Sequence, residues 1–463
     1  MKKSLSNFFL LLLIWPLAHS LPGQTNFSLE EAVQYALKNS TQVKLNQLNI
    51  IDADAQVMEY KSIGLPKVSA DIDYQHFFAI PTTILPDFFS PAIDGRLVYY
   101  KLLDSNRVDE PSDRGFPARF GRSNSLSGGI GVNTILYDPS FFVGLKASKL
   151  YRELATRQNA VSDITIRQSV AKAYLGALIA LKSKTILDQN IVTLDKITRE
   201  TQIIQSKGFA EQLDVDRLSL SLQTLQLEAE KVIRMSEITA NVLKMQMGYP
   251  MDENITLTDD LDALVDRLKV DDVDLVSGYR ADQRPEFRSM QLAEELSKIR
   301  LKTIKLRAYP TVNGFANLAY GTQTNNLFDA NETLWFPTAI AGFKIHVPIF
   351  DGFNRKAQYQ RASIELDKLR LQMQEFERGM QLEVTTARIT VNNARTTLDA
   401  SKRNLDLAQR IYDQSQLKFK GGVGSSLEIN QAETSFIQAQ SSYINALYTL
   451  LVAKTDLDKA LGK

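Results

Sequence analysis

The 463-residue chain has no cysteine, and that absence alone removes several classes of protein. Without a thiol there is no disulfide scaffold, thiolate nucleophile, iron–sulfur cluster or cysteine zinc site. Histidine is nearly as scarce. His19, His76 and His346 stand singly, too far apart in sequence to suggest a metal cluster or a catalytic triad. There is no excess of charge of either sign, with 54 Lys+Arg against 53 Asp+Glu, which argues against a nucleic-acid partner. Past the N-terminus no stretch reaches the roughly 18 to 20 apolar residues that a membrane-spanning helix needs. No cofactor, metal site or enzymatic activity is therefore expected.

The N-terminus reads as a leader. Lys2 and Lys3 precede the apolar run Phe8 to Ile14, and Ala18-His19-Ser20 offers a small-residue cleavage site. That layout predicts a secretory signal peptide over residues 1–20. The chain is thus expected to be exported, and with no cysteine to lipidate it is not a lipoprotein.

Proline divides what remains. Five of the 14 prolines lie between Pro81 and Pro117, whereas residues 140–249 and 349–463 contain none. Both proline-free stretches are rich in Ala, Leu, Gln, Lys and Glu, the good helix formers. In the second, small and apolar residues recur at Val391, Ala394, Leu398, Ser401, Leu405, Ala408 and Tyr412, and again at Ala432, Phe436, Ala439, Tyr443, Ala446, Leu450, Ala453 and Leu457. In the first, Leu218, Leu222, Leu225, Ala229 and Val232 keep the same rhythm. Spacings alternating between three and four define a heptad seam, so long coiled-coil helices are expected.

The two halves also match each other. Gly208-Phe209-Ala210-Glu211-Gln212-Leu213-Asp214 aligns with Gly422-Val423-Gly424-Ser425-Ser426-Leu427-Glu428, and Tyr137-Asp138-Pro139 aligns with Phe350-Asp351-Gly352. Leu65-Pro66-Lys67-Val68 resembles Tyr309-Pro310-Thr311-Val312. An internal duplication follows. The first half spans about 21–249, with strands about 66–80 and 124–138 and a helical hairpin 140–249. A segment at 250–290 separates it from the second half, about 291–463, with strands about 310–325 and 338–350 and a hairpin 352–463. Residues 81–123 read as an exposed, proline-rich loop.

The candidate strands alternate in character. Val68, Ala70, Ile72 and Tyr74 share one face, and Ser69, Asp71, Asp73 and Gln75 the other. Segments of this length, rich in glycine and aromatics, are what outer-membrane barrel strands look like. Four strands cannot close a barrel, and an open sheet edge cannot face lipid. If these strands enter a membrane, several copies must share one barrel. Two decoys carry little weight. Gly421-Gly422-Val423-Gly424-Ser425-Ser426 lacks the phosphate-loop spacing and follows a helix, and Gly128-Gly129-Ile130-Gly131 sits inside a strand.

With Ser28-Leu29-Glu30-Glu31-Ala32, the Pro-Val strand starts at Pro66 and Pro310, the Pro348-to-Arg355 segment and the two glycine turns in this order, the chain resembles the TolC-like outer-membrane efflux proteins. The resemblance covers nearly the whole mature chain. It implies an α+β membrane protein with four barrel strands per chain and long coiled-coil helical hairpins. In a homotrimer these would make a shared 12-stranded β-barrel and an α-helical tunnel, with residues 250–290 as an equatorial belt. Such a protein, placed in the outer membrane with a long periplasmic extension, would conduct cargo for a tripartite efflux or type I secretion system. Its partners would be itself, outer-membrane lipid, a periplasmic adaptor, and an inner-membrane pump of the RND or ABC type. The alternative is a periplasmic coiled-coil adaptor or scaffold protein without a pore.

The resemblance also assigns residues. Gly208, Phe209 and Ala210 with Gly422, Val423 and Gly424 would form the periplasmic tip that meets the adaptor, although the same turns could be plain chain reversals. Asp214 and Glu428 follow on the first turn of each returning helix, and three copies of Glu428 would form an acidic ring at the entrance. The chain departs from the family with Gln431 where a second acid often stands, Phe419 where a tyrosine can lock the gate, and Gly424 where an arginine can lie. The closed-state latch is therefore assigned to Asp216 or Arg217.

Overall fold

The computed structural model describes residues 25–85, 89–105, 115–267, 280–329 and 333–463. The leader expected at residues 1–20 lies outside the described residues. The chain forms two compact units. One takes in Met1–Asp54, Leu150–Glu295 and Leu366–Lys463, the other Ala55–Lys149 and Leu296–Glu365.

The first unit is helical. It opens with a short strand β1 (Thr25–Phe27) and helix α1 (Leu29–Asn39), followed by α2 (Thr41–Ile63), which continues into the second unit. Ser28 starts α1 with a capping box: its hydroxyl accepts from Glu31 N at 3.4 Å, and its own N–H donates to Glu31 Oε2 at 2.8 Å. These reciprocal bonds satisfy two donors that a helix start leaves unpaired, and they hold the Glu31 carboxyl below its ordinary range.

Strand β2 (Lys67–His76), strand β3 (Thr82–Leu85), helix α3 (Phe89–Tyr99), strand β4 (Phe116–Arg119) and strand β5 (Asn124–Tyr137) belong to the second unit. Two hairpins then carry most of the helix, α4 (Pro139–Ser206) with α5 (Gln212–Met247), and α8 (Asn354–Lys420) with α9 (Ser426–Ala460). Between them lie β6 (Ile255–Leu257), α6 (Leu261–Arg267), α7 (Pro285–Leu306), β7 (Thr311–Thr324) and β8 (Trp335–His346). The hairpin arms are of nearly equal length, 68 and 36 residues against 67 and 35.

Most of the heptad positions bury, while Leu222, Val232, Ser401, Leu405, Ala408, Ala439 and Tyr443 are half-buried. Leu218, Leu225, Ala229, Val391, Ala394, Leu398, Tyr412, Ala432, Phe436, Ala446, Leu450, Ala453 and Leu457 are all buried. All of them but Ala229 fall into two cores. The larger joins Phe27, Ala36, Val170, Tyr174, Leu243, Leu261, Val391 and Leu447, and the smaller joins Leu194, Leu218, Tyr412, Ile429 and Phe436. Tyr412 and Phe436 stack face to face with ring centroids 5.4 Å apart.

Part of the segment expected at 250–290 docks on the larger core. Strand β6 pairs in parallel with β1, and the Tyr174 hydroxyl lies 2.9 Å from the Phe27 carbonyl and 3.0 Å from Asp259 Oδ2. Lys182 of α4 reaches Asp260 at 2.9 Å and Asp262 at 3.2 Å. Arg284 is 4% exposed at its side chain. It donates to Glu286 at 2.8 Å, to Glu383 at 2.5 Å, and to the Ala460 carbonyl at 3.4 Å. Burial opposes its charge, but the two carboxylates outweigh burial and hold the guanidinium above its ordinary range. Residues 268–279 of this segment lie outside the described residues.

In the second unit, four strands form one antiparallel sheet in the order β2-β5-β7-β8. Its register lines up Val68, Val132, Ala316 and Ala341, then Ala70, Ile130, Leu318 and Ala339, on one face. Ser69, Gly131 and Asn317 fall in a row on the other. The apolar face is uncovered, with Val68 69%, Ile72 82%, Ile130 54% and Leu318 55% exposed. Strands β2 and β8 are exposed along their whole length.

The element ends differ from the sequence reading for identifiable reasons. β2 stops at His76, paired with Asn124 at the start of β5, and not near residue 80. β8 starts at Trp335, which pairs with Thr322 of β7, and stops at His346, two residues before Pro348, which has no N–H for a ladder. The stretch read as a loop at 81–123 holds an antiparallel pair, β3 with β4, and helix α3.

Candidate functional site

Each helical hairpin reverses at one of the glycine turns singled out in the sequence. Gly208 has φ +81° and Gly422 φ +70°, the left-handed conformation that L side chains rarely adopt. The bonding repeats as well. Gly208 N donates to Gln205 O at 2.8 Å and Phe209 N to Ile204 O at 3.1 Å, while Gly422 N donates to Phe419 O and Val423 N to Lys418 O, both at 3.1 Å. These bonds close the last turns of α4 and α8, whose terminal carbonyls would otherwise lack donors.

Gly424 is glycine for a different reason. A Cβ there would lie 2.9 Å from Phe419 N and 3.0 Å from Lys418 Cβ, so the turn is closed too tightly for a side chain. At the turns themselves, Phe209 is 83% and Val423 82% exposed, and Ala210 is half-buried. Large apolar side chains held outward on a polar hairpin end are the features a protein partner would cover.

The residues after the turns divide into two groups. Asp214 accepts from Glu211 N at 3.2 Å and from the Ser426 hydroxyl, and Arg217 Nη1 donates to the same Ser426 oxygen at 3.4 Å. Ser426, 2% exposed, thus ties the first turn of α5 to the first turn of α9. One turn on, Ser221 donates to Asn430 at 3.3 Å. Asp216 is not in this group. It faces outward and accepts from Gln212 of its own helix at 2.8 Å. Glu428 and Gln431 are also exposed, and the Glu428 backbone N–H is taken by its N-cap, Ser425, at 3.2 Å. Phe419 packs on the smaller core.

Two residues escaped the sequence reading. Ser426 offered no signal beyond its place at a helix start. Glu433 offered a clear one, since the spacing Ile429, Glu433, Phe436 sets an acid on the buried face of α9. It is 4% exposed and borders a cavity of about 300 Å³ between α4, α8 and α9. No group of three or more metal-ligating side chains occurs among the described residues.

Residues 280–463 match the sequence model of a family described as outer membrane efflux protein. No match is found among curated proteins. Among solved structures, the Campylobacter jejuni CmeC outer membrane channel is similar with a TM-score of 0.70 at 17% identity, over 94% of this chain and 85% of that one. CusC, whose structures concern transmembrane channel formation, gives 0.69 at 15% identity over 94% and 91%. The outer membrane protein VceC of Vibrio cholerae gives 0.66 at 14% over 94% and 96%. At these identities the likeness establishes a shared fold.

Proposed function

We propose, from the match of residues 280–463 to the outer membrane efflux protein model and from the fold shared with solved outer membrane channels, that this chain is the outer-membrane channel of a tripartite efflux or type I secretion system. Cargo would pass from the periplasm to the exterior through a barrel and helical tunnel shared by three copies. The observation that carries this reading is the four-stranded sheet, whose apolar face is exposed and whose outer strands β2 and β8 have no further partner among the described residues. No described helix is long and apolar enough to cross a membrane. The sheet is then the element suited to lipid, and its free edges call for further copies of itself. Three copies would give twelve strands, a closed wall with no edge, and four long helices from each chain would give a twelve-helix tunnel.

The near-equal hairpins and the repeated turn geometry support the internal duplication, each half supplying two strands and one hairpin. The two glycine turns are the proposed periplasmic tip, with Phe209 and Val423 as the apolar contacts for an adaptor's own helices. The adaptor would in turn join the channel to an inner-membrane pump. A non-porous scaffold would leave the exposed apolar sheet face without a purpose.

The test is the mass of the detergent-extracted protein from an outer-membrane fraction, followed by planar-bilayer recording. About 150 kDa of protein is expected, three mature chains sharing one barrel, with single-channel conductance. A monomer released without detergent would overturn the reading.

A further inference from the structure

Two turns above the tip, α9 buries a carboxyl group whose Oε2 has no partner on the surrounding helices. Glu433 Oε2 has no hydrogen-bond donor within reach, and the residue is 4% exposed. The cavity it borders is polar but uncharged on one side. Helix α4 presents Gln189, Asn190 and Thr193, none of which titrates, and α8 presents Tyr412 and Asp413. Helix α5, whose Ser221 meets α9 one turn below, contributes no lining residue, and no lysine or arginine lines the cavity.

Gln189, Gln409, Gln416 and Gln440 also bring amides to the cavity, but none donates to Glu433 Oε2. Asn190 Nδ2 gives its hydrogen bond to Gln440 at 2.8 Å, and Gln409 gives one to Asp413 at 2.9 Å. The stacked rings of Tyr412 and Phe436, part of the smaller core, line the same cavity. An ionised Glu433 in this setting would be a buried charge with no cation lining the cavity and no donor on Oε2, which costs several kcal/mol in general. A protonated Glu433 is a neutral group of nearly the same shape.

We propose that Glu433 is a proton-operated switch that holds α9 against α4 and α8 when protonated and loosens this packing, and with it the tip, when ionised. The sign follows from burial, which pushes the carboxyl from 4.5 up to about 7 in the packed state. Packing therefore favours the protonated form. Its contribution is complete below the ordinary carboxylate range and is lost as pH rises through about 7. If the carboxyl meets water in the loosened state, the packed-to-loosened ratio should fall about ten-fold per copy between about pH 6 and pH 8. Burial likewise pushes the facing Tyr412 up to about 12, with Glu433 adding to the effect, so the tyrosine stays neutral and does not compete for the transition. Asp413, already accepting from Gln409, faces the same cavity and is the control position.

The experiment has two readouts on the full chain in detergent. Infrared difference spectra of the wild type between about pH 5.5 and pH 8 should show a protonated-carboxyl band lost with a midpoint near 7. That band should be absent in Glu433→Gln and retained in Asp413→Asn. In planar bilayers, wild-type open probability should rise over the same range, while Glu433→Gln stays at the low-pH value throughout. A wild type with no such band, or a Glu433→Gln variant that keeps the transition, overturns the proposal. So does a midpoint that moves with sodium or calcium concentration, which would make the occupant a metal cation. The bilayer readout rests on the channel reading, and the infrared readout does not. A protein that forms no channel overturns that reading and leaves the proton site to be decided by its spectrum.

Discussion

At the scale of single residues, three glycines at the hairpin ends carry two different constraints. Gly208 and Gly422 hold a positive φ in open space, so alanine at either adds backbone strain of about 1–2 kcal/mol and no clash. Gly424 has ordinary φ but no room for a Cβ, so Gly424→Ala should lower stability by about 1–3 kcal/mol through displacement of the Lys418–Phe419 backbone. Thermal unfolding followed by circular dichroism measures all three. A bulky residue at Gly424 therefore reports on the turn before it reports on any partner. The exposed side chains are the better probes of an adaptor contact. Phe209→Ser and Val423→Ser should leave stability within about 0.5 kcal/mol and the trimer intact, yet reduce export of cargo from cells. Normal export in both variants would remove these residues from the contact. On the proposed channel reading, with Glu428 at the entrance, Glu428→Gln should lower cation selectivity and weaken block by multivalent cations, and unchanged values would take Glu428 out of the entrance.

Individual helices depend on clamps that no single turn supplies. The end of α9, the start of α7 and the middle of α8 meet at Arg284, whose guanidinium reaches Glu286, Glu383 and the Ala460 carbonyl. Replacing Arg284 by methionine keeps much of its volume but strands Glu286, which burial would raise and Arg284 instead holds below its ordinary range. A loss of about 2–3 kcal/mol is expected, because the half-buried Glu286 is left uncompensated while the more exposed Glu383 turns to water. Amide hydrogen exchange should locate the loosening in the last turns of α9, with the tip unaffected. The pH dependence runs opposite to that of Glu433. A depressed Glu286 stabilises above the ordinary carboxylate range and ceases to do so as pH falls through its lowered value, so acid should fray this junction while it tightens the tip.

The whole molecule is decided by its sheet edges. β2 and β8 are separated by β5 and β7, which sets them about 14 Å apart across the sheet, well beyond disulfide reach. Since the chain has no cysteine of its own, a cysteine on each edge can bridge only between copies. Pairing one replacement among Val68, Ala70 and Ile72 with one among Ala339 and Ala341 should give, at a single register, an oxidised species migrating as a covalent trimer on denaturing gels. Random dimers at every register, or none at any, would mean that the edges do not meet in the membrane.

Much of this architecture could be read from the chain because it depends on local and periodic properties. The heptad spacing placed the buried stripe of α5, α8 and α9, alternation placed the apolar face of β2, and paired glycines marked both reversals. These follow from 3.6- and 2-residue geometry and from the φ that only glycine takes readily. The sequence also excluded thiol chemistry outright. Contacts between distant segments were left to tertiary structure. Ser426 became the tie between α5 and α9, Arg217 became a ligand of that tie while Asp216 stayed outside it, and β3, β4 and α3 formed where prolines suggested only a loop. Glu433 makes the difference plainest. Its position on the buried face could be counted from spacing, but that its Oε2 meets no donor and its cavity no cation depends on which side chains of α4 and α8 happen to face it.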